Sequence, residues 1–235
     1  MTTTLITGAN KGLGYETARQ LIAIGHTVYI GCRDPKRGQD AAQQLGARLV
    51  ALDVTDDDSV SAAAHLIEEM GGIDVLINNA GVEGRGENNS IIGAEATTAA
   101  MMREVFDTNV FGLIRVTHAF LPLLQRSPAP VVVNVSSSLG SLSLAASPDS
   151  FTHFYPGVAY PASKSAVNMI TVQFAKQFPG MRINAVEPGY TNTDLNGRTG
   201  TQTVEEGARI IVEMAQTLPD GPTGGFVSAH GPVPW

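Results

Sequence analysis

The chain has 235 residues, of which 43% are hydrophobic and 16% charged, and a formal net charge of −7. This length and balance suit one soluble α/β domain with a large core and exclude fibrous, collagen-like and disordered classes. Scattered Lys and Arg on an acidic chain exclude a nucleic-acid face, no apolar run is long enough to span a bilayer, and one cysteine, Cys32, allows neither an internal disulfide nor a cysteine metal cluster.

The N-terminus enters a strand at Thr3-Thr4-Leu5-Ile6-Thr7 without a basic flank or signal-type stretch, so a cytoplasmic protein is expected. Further strands are expected at Thr27 to Ile30, Leu49 to Leu52, Ile73 to Ile77, Val131 to Val135, Ile183 to Val186 and Gly225 to Ser228. Strands apolar on both faces and separated by amphipathic helices imply a parallel sheet covered on both sides. The expected fold class is therefore α/β: a single-domain Rossmann fold over 1–235, doubly wound, with about seven parallel strands flanked by helices. Asp34 before Pro35 marks a helix start, as do the acids and hydroxyls from Asp56 to Ser59. Two irregular loops, 84–93 and 139–157, follow strands and should lie at the ligand edge of the sheet.

After the first strand comes Thr7-Gly8-Ala9-Asn10-Lys11-Gly12-Leu13-Gly14, which opens a helix through Ala18, Leu21 and Ile22. Glycines there let the backbone turn tightly and approach a pyrophosphate, whose charge the helix N-terminus favours. The spacing is Gly-x-x-x-Gly-x-Gly, which differs from the better-known Gly-x-Gly-x-x-Gly. A glycine turn can also be plain loop geometry; its place between first strand and first helix favours the phosphate reading.

The end of the second strand, where an acid would hold the ribose 2′-hydroxyl of NAD, carries Cys32 and Arg33. The Arg33 fork could grip a 2′-phosphate, helped by Lys11 and by Lys36 or Arg37, which favours NADP(H). Against this stand Asp34 as a ribose acid, although Pro35 makes it a better helix cap, and a simply solvated helix start.

Tyr160 alone among five tyrosines has a lysine one helical turn on, Lys164. Residues at this spacing share a helix face, so the ammonium can approach the phenol and lower its pKa toward the working pH. Carbonyl reduction needs such a group, because hydride arrival creates an alkoxide that must be protonated. Upstream, Asn134-Val135-Ser136-Ser137-Ser138 closes the fifth strand, and a serine hydroxyl there can donate to a developing oxyanion. No histidine has a partner spacing that points to a metal site.

Together these pieces resemble the short-chain dehydrogenase/reductase family along nearly the whole chain. The matching motifs are Thr7 to Gly14, Asp53-Val54, Asn78-Asn79-Ala80-Gly81, Asn109, Ser136-Ser137, Tyr160 with Lys164, and Pro188-Gly189 followed by Thr191 and Thr193. The glycine turn and the Cys32-Arg33-Asp34 segment look most like carbonyl-reductase-type, NADPH-using members. The resemblance implies Tyr160 as general acid/base, Lys164 as its modulator and ribose ligand, Ser137 as substrate-oxygen donor and Asn109 as organiser of a relay water. Ser138 stays open as a neighbour that could share the role of Ser137. For the cofactor it implies Gly8, Asn10, Lys11, Gly12, Leu13 and Gly14 at the phosphates and Arg33 at the 2′-phosphate. Asp53 and Val54 would flank the adenine, Asn79, Ala80 and Gly81 would line the cofactor, and Pro188, Gly189, Thr191 and Thr193 would sit by the nicotinamide.

The stretch from Ser137 to Tyr160 is longer than in compact members of the family and carries Phe151, His153, Phe154 and Tyr155. It reads either as a substrate-facing loop, with His153 a specificity contact, or as a surface insert packed by its own aromatics. The resulting expectation is an NADP(H)-dependent oxidoreductase interconverting a small-molecule carbonyl and alcohol. Its competitors are a non-catalytic NADP(H)-binding regulator, for which an intact Ser137, Tyr160 and Lys164 set has no chemical use, and an isomerase or dehydratase, for which the segment after Thr193 is short. Monomer, homodimer and homotetramer remain open, and Gly231 to Trp235 could dock on its own subunit or on a neighbour.

Overall fold

The computed structural model describes residues 2–235. Eight strands form one sheet: β1 (Thr3–Thr7), β2 (Thr27–Cys32), β3 (Arg48–Ala51), β4 (Val75–Asn78), β5 (Val131–Val135), β6 (Arg182–Glu187), β7 (Phe226–Ser228) and β8 (Gly231–Pro232). Their order is β3-β2-β1-β4-β5-β6-β7-β8. The first seven are parallel, and β8 pairs antiparallel with β7. The seven expected strands are all present. The eighth is a two-residue edge addition, Gly231–Pro232, with no apolar run to announce it.

Consecutive residues of a strand point to opposite faces, so each buried strand must supply two cores. Ile6, Val131 and Val133 pack on one side with Ala18 and Leu21 of α1 (Gly12–Ala23), Ala41 of α2 (Pro35–Leu45) and Ile211 of α8 (Val204–Ala215). Leu5, Leu76 and Val132 pack on the other with Ile67 of α3 (Asp57–Glu69) and Phe120 of α5 (Leu113–Leu124). Each fully buried Leu, Ile or Phe contributes about 1.5–3 kcal/mol. The remaining helices are α4 (Ala99–Phe106), α6 (Leu142–Ala146) and α7 (Ala159–Gln177).

Helix starts follow the local chemistry. Asp34 accepts from the Arg37 amide ahead of Pro35, and Asp56 accepts from the Ser59 amide. Strand order reverses between β1 and β4, opening a crevice at their carboxyl ends. The two long loops border this edge but are not structureless: they hold short helical turns at Glu87–Asn89 and Phe151–Phe154 together with α6, and an antiparallel bridge between Gly93 and Gly157 ties them together.

Candidate active site

The crevice is one continuous cleft lined by every expected site residue except Asn109. On its β1 side the glycine turn is fixed by backbone demands. Gly8 and Gly12 have φ of 65° and 58°, in the left-handed region that favours glycine. A Cβ on Gly14 would lie 2.5 Å from Asn79 Nδ2 and 2.9 Å from Ala9 Cα. Thr7 and Asn79 lock this turn to the next one: Thr7 Oγ1 accepts from the Asn79 and Ala80 amides at 3.0 Å, and Asn79 Nδ2 donates to Thr7 O at 2.8 Å. The result is a bare backbone cradle at the start of α1, which fits a pyrophosphate.

The cations around it differ in availability. Lys11 is paired with Asp194 at 2.9 Å, bridging the glycine turn to the 194–196 turn. Arg37 is paired with Asp34 at 3.4 Å, and Asp34 is occupied as a helix cap. Arg33 is exposed, lines the cleft, and makes no hydrogen bond or ion pair among the described residues. At Asp53, burial opposes the charge, but hydrogen bonds from the Thr55 amide and hydroxyl prevail and hold its carboxyl below the usual range.

Across the cleft, Ser137, Tyr160 and Lys164 come together. Ser137 follows β5 and lines the cleft with Tyr160, its hydroxyl acting to favour the ionised phenol. Tyr160 and Lys164 share one face of α7, with the Lys164 Nζ 5.5 Å from the ring centroid. Lys164 is buried and donates to Val135 O at 2.7 Å; desolvation brings its pKa down to about 8. The sequence-based expectation that Lys164 lowers the phenol pKa is corrected here. Burial first, then the charges of Glu187 and Glu83, push Tyr160 well up, opposed by the Ser137 hydroxyl. The ammonium lies over the ring and turns to a strand carbonyl, while the phenol is buried and feels the charges of Glu187 and Glu83.

Asn109 stands behind the cleft, in a π-helical stretch over Asp107–Gly112. Its side chain accepts from the Val82 amide at 2.8 Å and donates to Val82 O at 2.8 Å and Ser163 Oγ at 3.0 Å. It therefore clamps the β4 loop to α7. Ser137 and Ser138 separate cleanly: Ser137 faces Tyr160, whereas the Ser138 amide donates to Glu187. Gly189, at φ 81°, donates its amide to Glu187 at 2.8 Å. Thr191 is buried, with its hydroxyl bonded to Pro188 O and Gln202, while Thr193 caps the 194–196 turn beside Gly12.

Sequence reasoning missed two carboxylates. Glu187 ends β6 inside the cleft; a charged residue closing an apolar parallel strand was the available signal. Glu83 forms a bidentate pair with Arg85 at 2.8 and 2.9 Å and accepts from Tyr155 at 2.7 Å, which joins the two long loops. In the longer loop, Phe151 and Tyr155 line the cleft. His153 turns away to Ala145 O and packs against Phe154. The C-terminus docks on its own chain, with Trp235 stacked on Phe226 and its carbonyl accepting from Ser143. Among the described residues no His, Cys, Asp and Glu cluster could hold a metal, and no helix is long and apolar enough to cross a membrane.

A glycine cradle at the switch point of a parallel sheet, facing a serine, a tyrosine and a buried lysine, defines the class of nucleotide-dependent oxidoreductases. The chain belongs to the short-chain dehydrogenase family, whose profile matches residues 2–204. It is 33% identical over 294 residues to a (+)-neomenthol dehydrogenase of Capsicum annuum, covering 94% of each protein. It is 35% identical over 300 residues to a (−)-isopiperitenone reductase of Mentha piperita, again covering 94% of each. Both alignments exceed the 235-residue chain, so these relatives carry inserted segments that it lacks. An NADPH-bound carbonyl reductase from chicken fatty liver superposes with a TM-score of 0.87 at 28% identity, covering 100% of this chain and 99% of that one.

Proposed function

We propose that this protein is an NADP(H)-dependent reductase that interconverts a small-molecule carbonyl and its alcohol, with Tyr160 as the proton donor. The observation that carries the reading is the juxtaposition of Ser137, Tyr160 and Lys164 in the same cleft as the Gly8–Gly14 turn. The cleft would hold a nicotinamide cofactor, which would supply hydride to the substrate carbon or take it up. Ser137 donates to the substrate oxygen, and Tyr160, kept protonated by its surroundings, delivers the proton to the same oxygen. Lys164 would hold the cofactor ribose and return a proton to the phenol, a role that suits an ammonium with a pKa of about 8. The Asn109 side chain, engaged with Val82 and Ser163, supports the site by clamping the β4 loop to α7.

Cofactor choice rests on Arg33, an exposed cleft cation without an ion pair among the described residues, which suits a 2′-phosphate, while Asp34 is occupied by its own helix. The NADPH bound to the superposed chicken enzyme supports the same choice. Buried, unpaired Cys32 fits a reducing, cytoplasmic setting.

The test is a fluorescence titration with NADPH and NADH, followed by a scan of carbonyl substrates. NADPH preference with turnover is expected, and Tyr160→Phe should keep NADPH affinity while losing about 100-fold or more in kcat. Full activity in Tyr160→Phe would overturn the mechanism. Tight NADPH binding without turnover would support a non-catalytic nucleotide-binding regulator.

A further inference from the structure

Glu187 is a half-buried carboxylate in the reacting part of the cleft for which the mechanism above has no use. It stands at the end of β6, where Val186 pairs with Val135, so it projects beside the serine loop that closes β5. One oxygen, Oε2, accepts from the Ser138 amide, and the other, Oε1, accepts from the Gly189 amide. These two amides belong to the loops on either side of the reacting centre: the Ser137 loop and the Pro188–Gly189 turn. Only a carboxylate offers two equivalent acceptors for this task; a glutamine would turn an NH2 group toward one of the amides.

Burial pushes the Glu187 carboxyl above the usual carboxylate range, and the Ser138 and Gly189 amides with the nearby Lys164 charge pull it back only in part. The charged and titratable groups around the site are Lys164 and Tyr160 on α7, and Glu83 with its partners Arg85 and Tyr155 on the loops opposite. Arg85 neutralises Glu83 through its bidentate contact, whereas Glu187 has no direct cation contact among the described residues. Glu187 therefore acts on Tyr160 as a negative charge, and of the two carboxylates it is the larger influence on the phenol.

We propose that Glu187 is a positioning residue of the reacting centre: its carboxylate clamps the Ser137 loop to the Pro188–Gly189 turn and sets a negative charge in the cleft that Tyr160 lines. The mechanistic consequence rests on the reductase reading given above. Reduction needs the phenol and oxidation needs the phenolate, so this charge extends upward the pH range in which Tyr160 can donate. The overall equilibrium, a property of the reactants, is untouched.

The test is an NMR titration of protein labelled at the tyrosine Cζ, with Tyr160→Phe identifying the signal, in wild type, Glu187→Gln and Glu187→Asp. In Glu187→Gln the Tyr160 phenolate should appear at least about one pH unit below its onset in wild type, as expected for removal of a nearby charge. Glu187→Asp, which keeps the charge on a shorter stem, should titrate near wild type. In turnover, Glu187→Gln should lower kcat about tenfold through the loosened clamp while NADPH affinity stays within about twofold. Phenolate onset at the same pH in wild type and Glu187→Gln, or in neither, overturns the charge role; unchanged kcat overturns the clamp. Because the titration needs no substrate, a wild type that reduces no carbonyl would sink the reductase reading while still deciding what Glu187 does to Tyr160.

Discussion

The two sides of the cleft are built by different means. The β1 side offers backbone: glycines at positive φ, a Gly14 with no room for a side chain, and the N-terminal turn of α1 opening on the cleft, where unpaired helix amides favour a phosphate. The β5–β6 side offers side chains held by a buried polar network. Asn78 donates to Asn134 and Thr117, Asn134 donates to Thr171, and Ser136 bonds Asn168 at 2.6 Å. Polar groups buried between strands and helices are costly unless satisfied; all the bonds named here are made, the Asn78 Oδ1 alone among these groups is left without a partner, and the network ties β4, β5 and α7 together behind Ser137, Tyr160 and Lys164. Recognition of a constant cofactor needs little beyond backbone shape. Proton delivery to a substrate needs side chains whose charge the surroundings control.

The comparison can be broken on its side-chain half first. Folded Lys164 loses its proton near pH 8, whereas the unfolded residue holds it to about 10.5. Between those values the unfolded chain binds more protons, so stability should rise with pH. The penalty for a buried ammonium is complete below about 8 and absent above 10.5. Lys164→Met should abolish this rise, a difference on the order of 3 kcal/mol between the two proteins across that window, measured by urea unfolding at several pH values. Parallel curves for the two proteins would mean that burial does not govern this lysine.

On the backbone half, the exposed Arg33 is the side chain expected to discriminate. Arg33→Ala should weaken NADPH about 10- to 30-fold and NADH hardly at all, as for loss of a charge-assisted hydrogen bond. Equal losses for both cofactors would remove Arg33 from the 2′-phosphate. The smallest effect is expected outside both halves: His153 faces Ala145 and not the cleft, so His153→Ala should change stability by less than about 0.5 kcal/mol and leave kcat/KM unchanged. A marked change in kcat/KM would return this histidine to the substrate wall.

Strand runs, helix caps and motif spacing are local, and the sequence therefore carried them. Asp34 and Asp56 cap the helices that their neighbours announced, and Val131 to Val135 could be nothing but a strand buried on both faces. The two-residue β8 and the turn of His153 away from the cleft had no such pattern, because both depend on which distant segment lies alongside.

What the sequence by itself determined is the doubly wound sheet, the glycine turn and the pairing of Tyr160 with Lys164 one helical turn on, since each rests on the spacing of neighbouring residues. Ser137 is singled out among its neighbouring serines by the family resemblance. What only the tertiary structure decided is the electrostatic setting of that set. Glu83 and Glu187 stand far from Tyr160 in the chain and beside it in the cleft, and Lys164 turns its ammonium to the Val135 carbonyl. Burial and opposing charge act through space and depend on every element that meets at the cleft, so no local spacing could show that the phenol is held protonated.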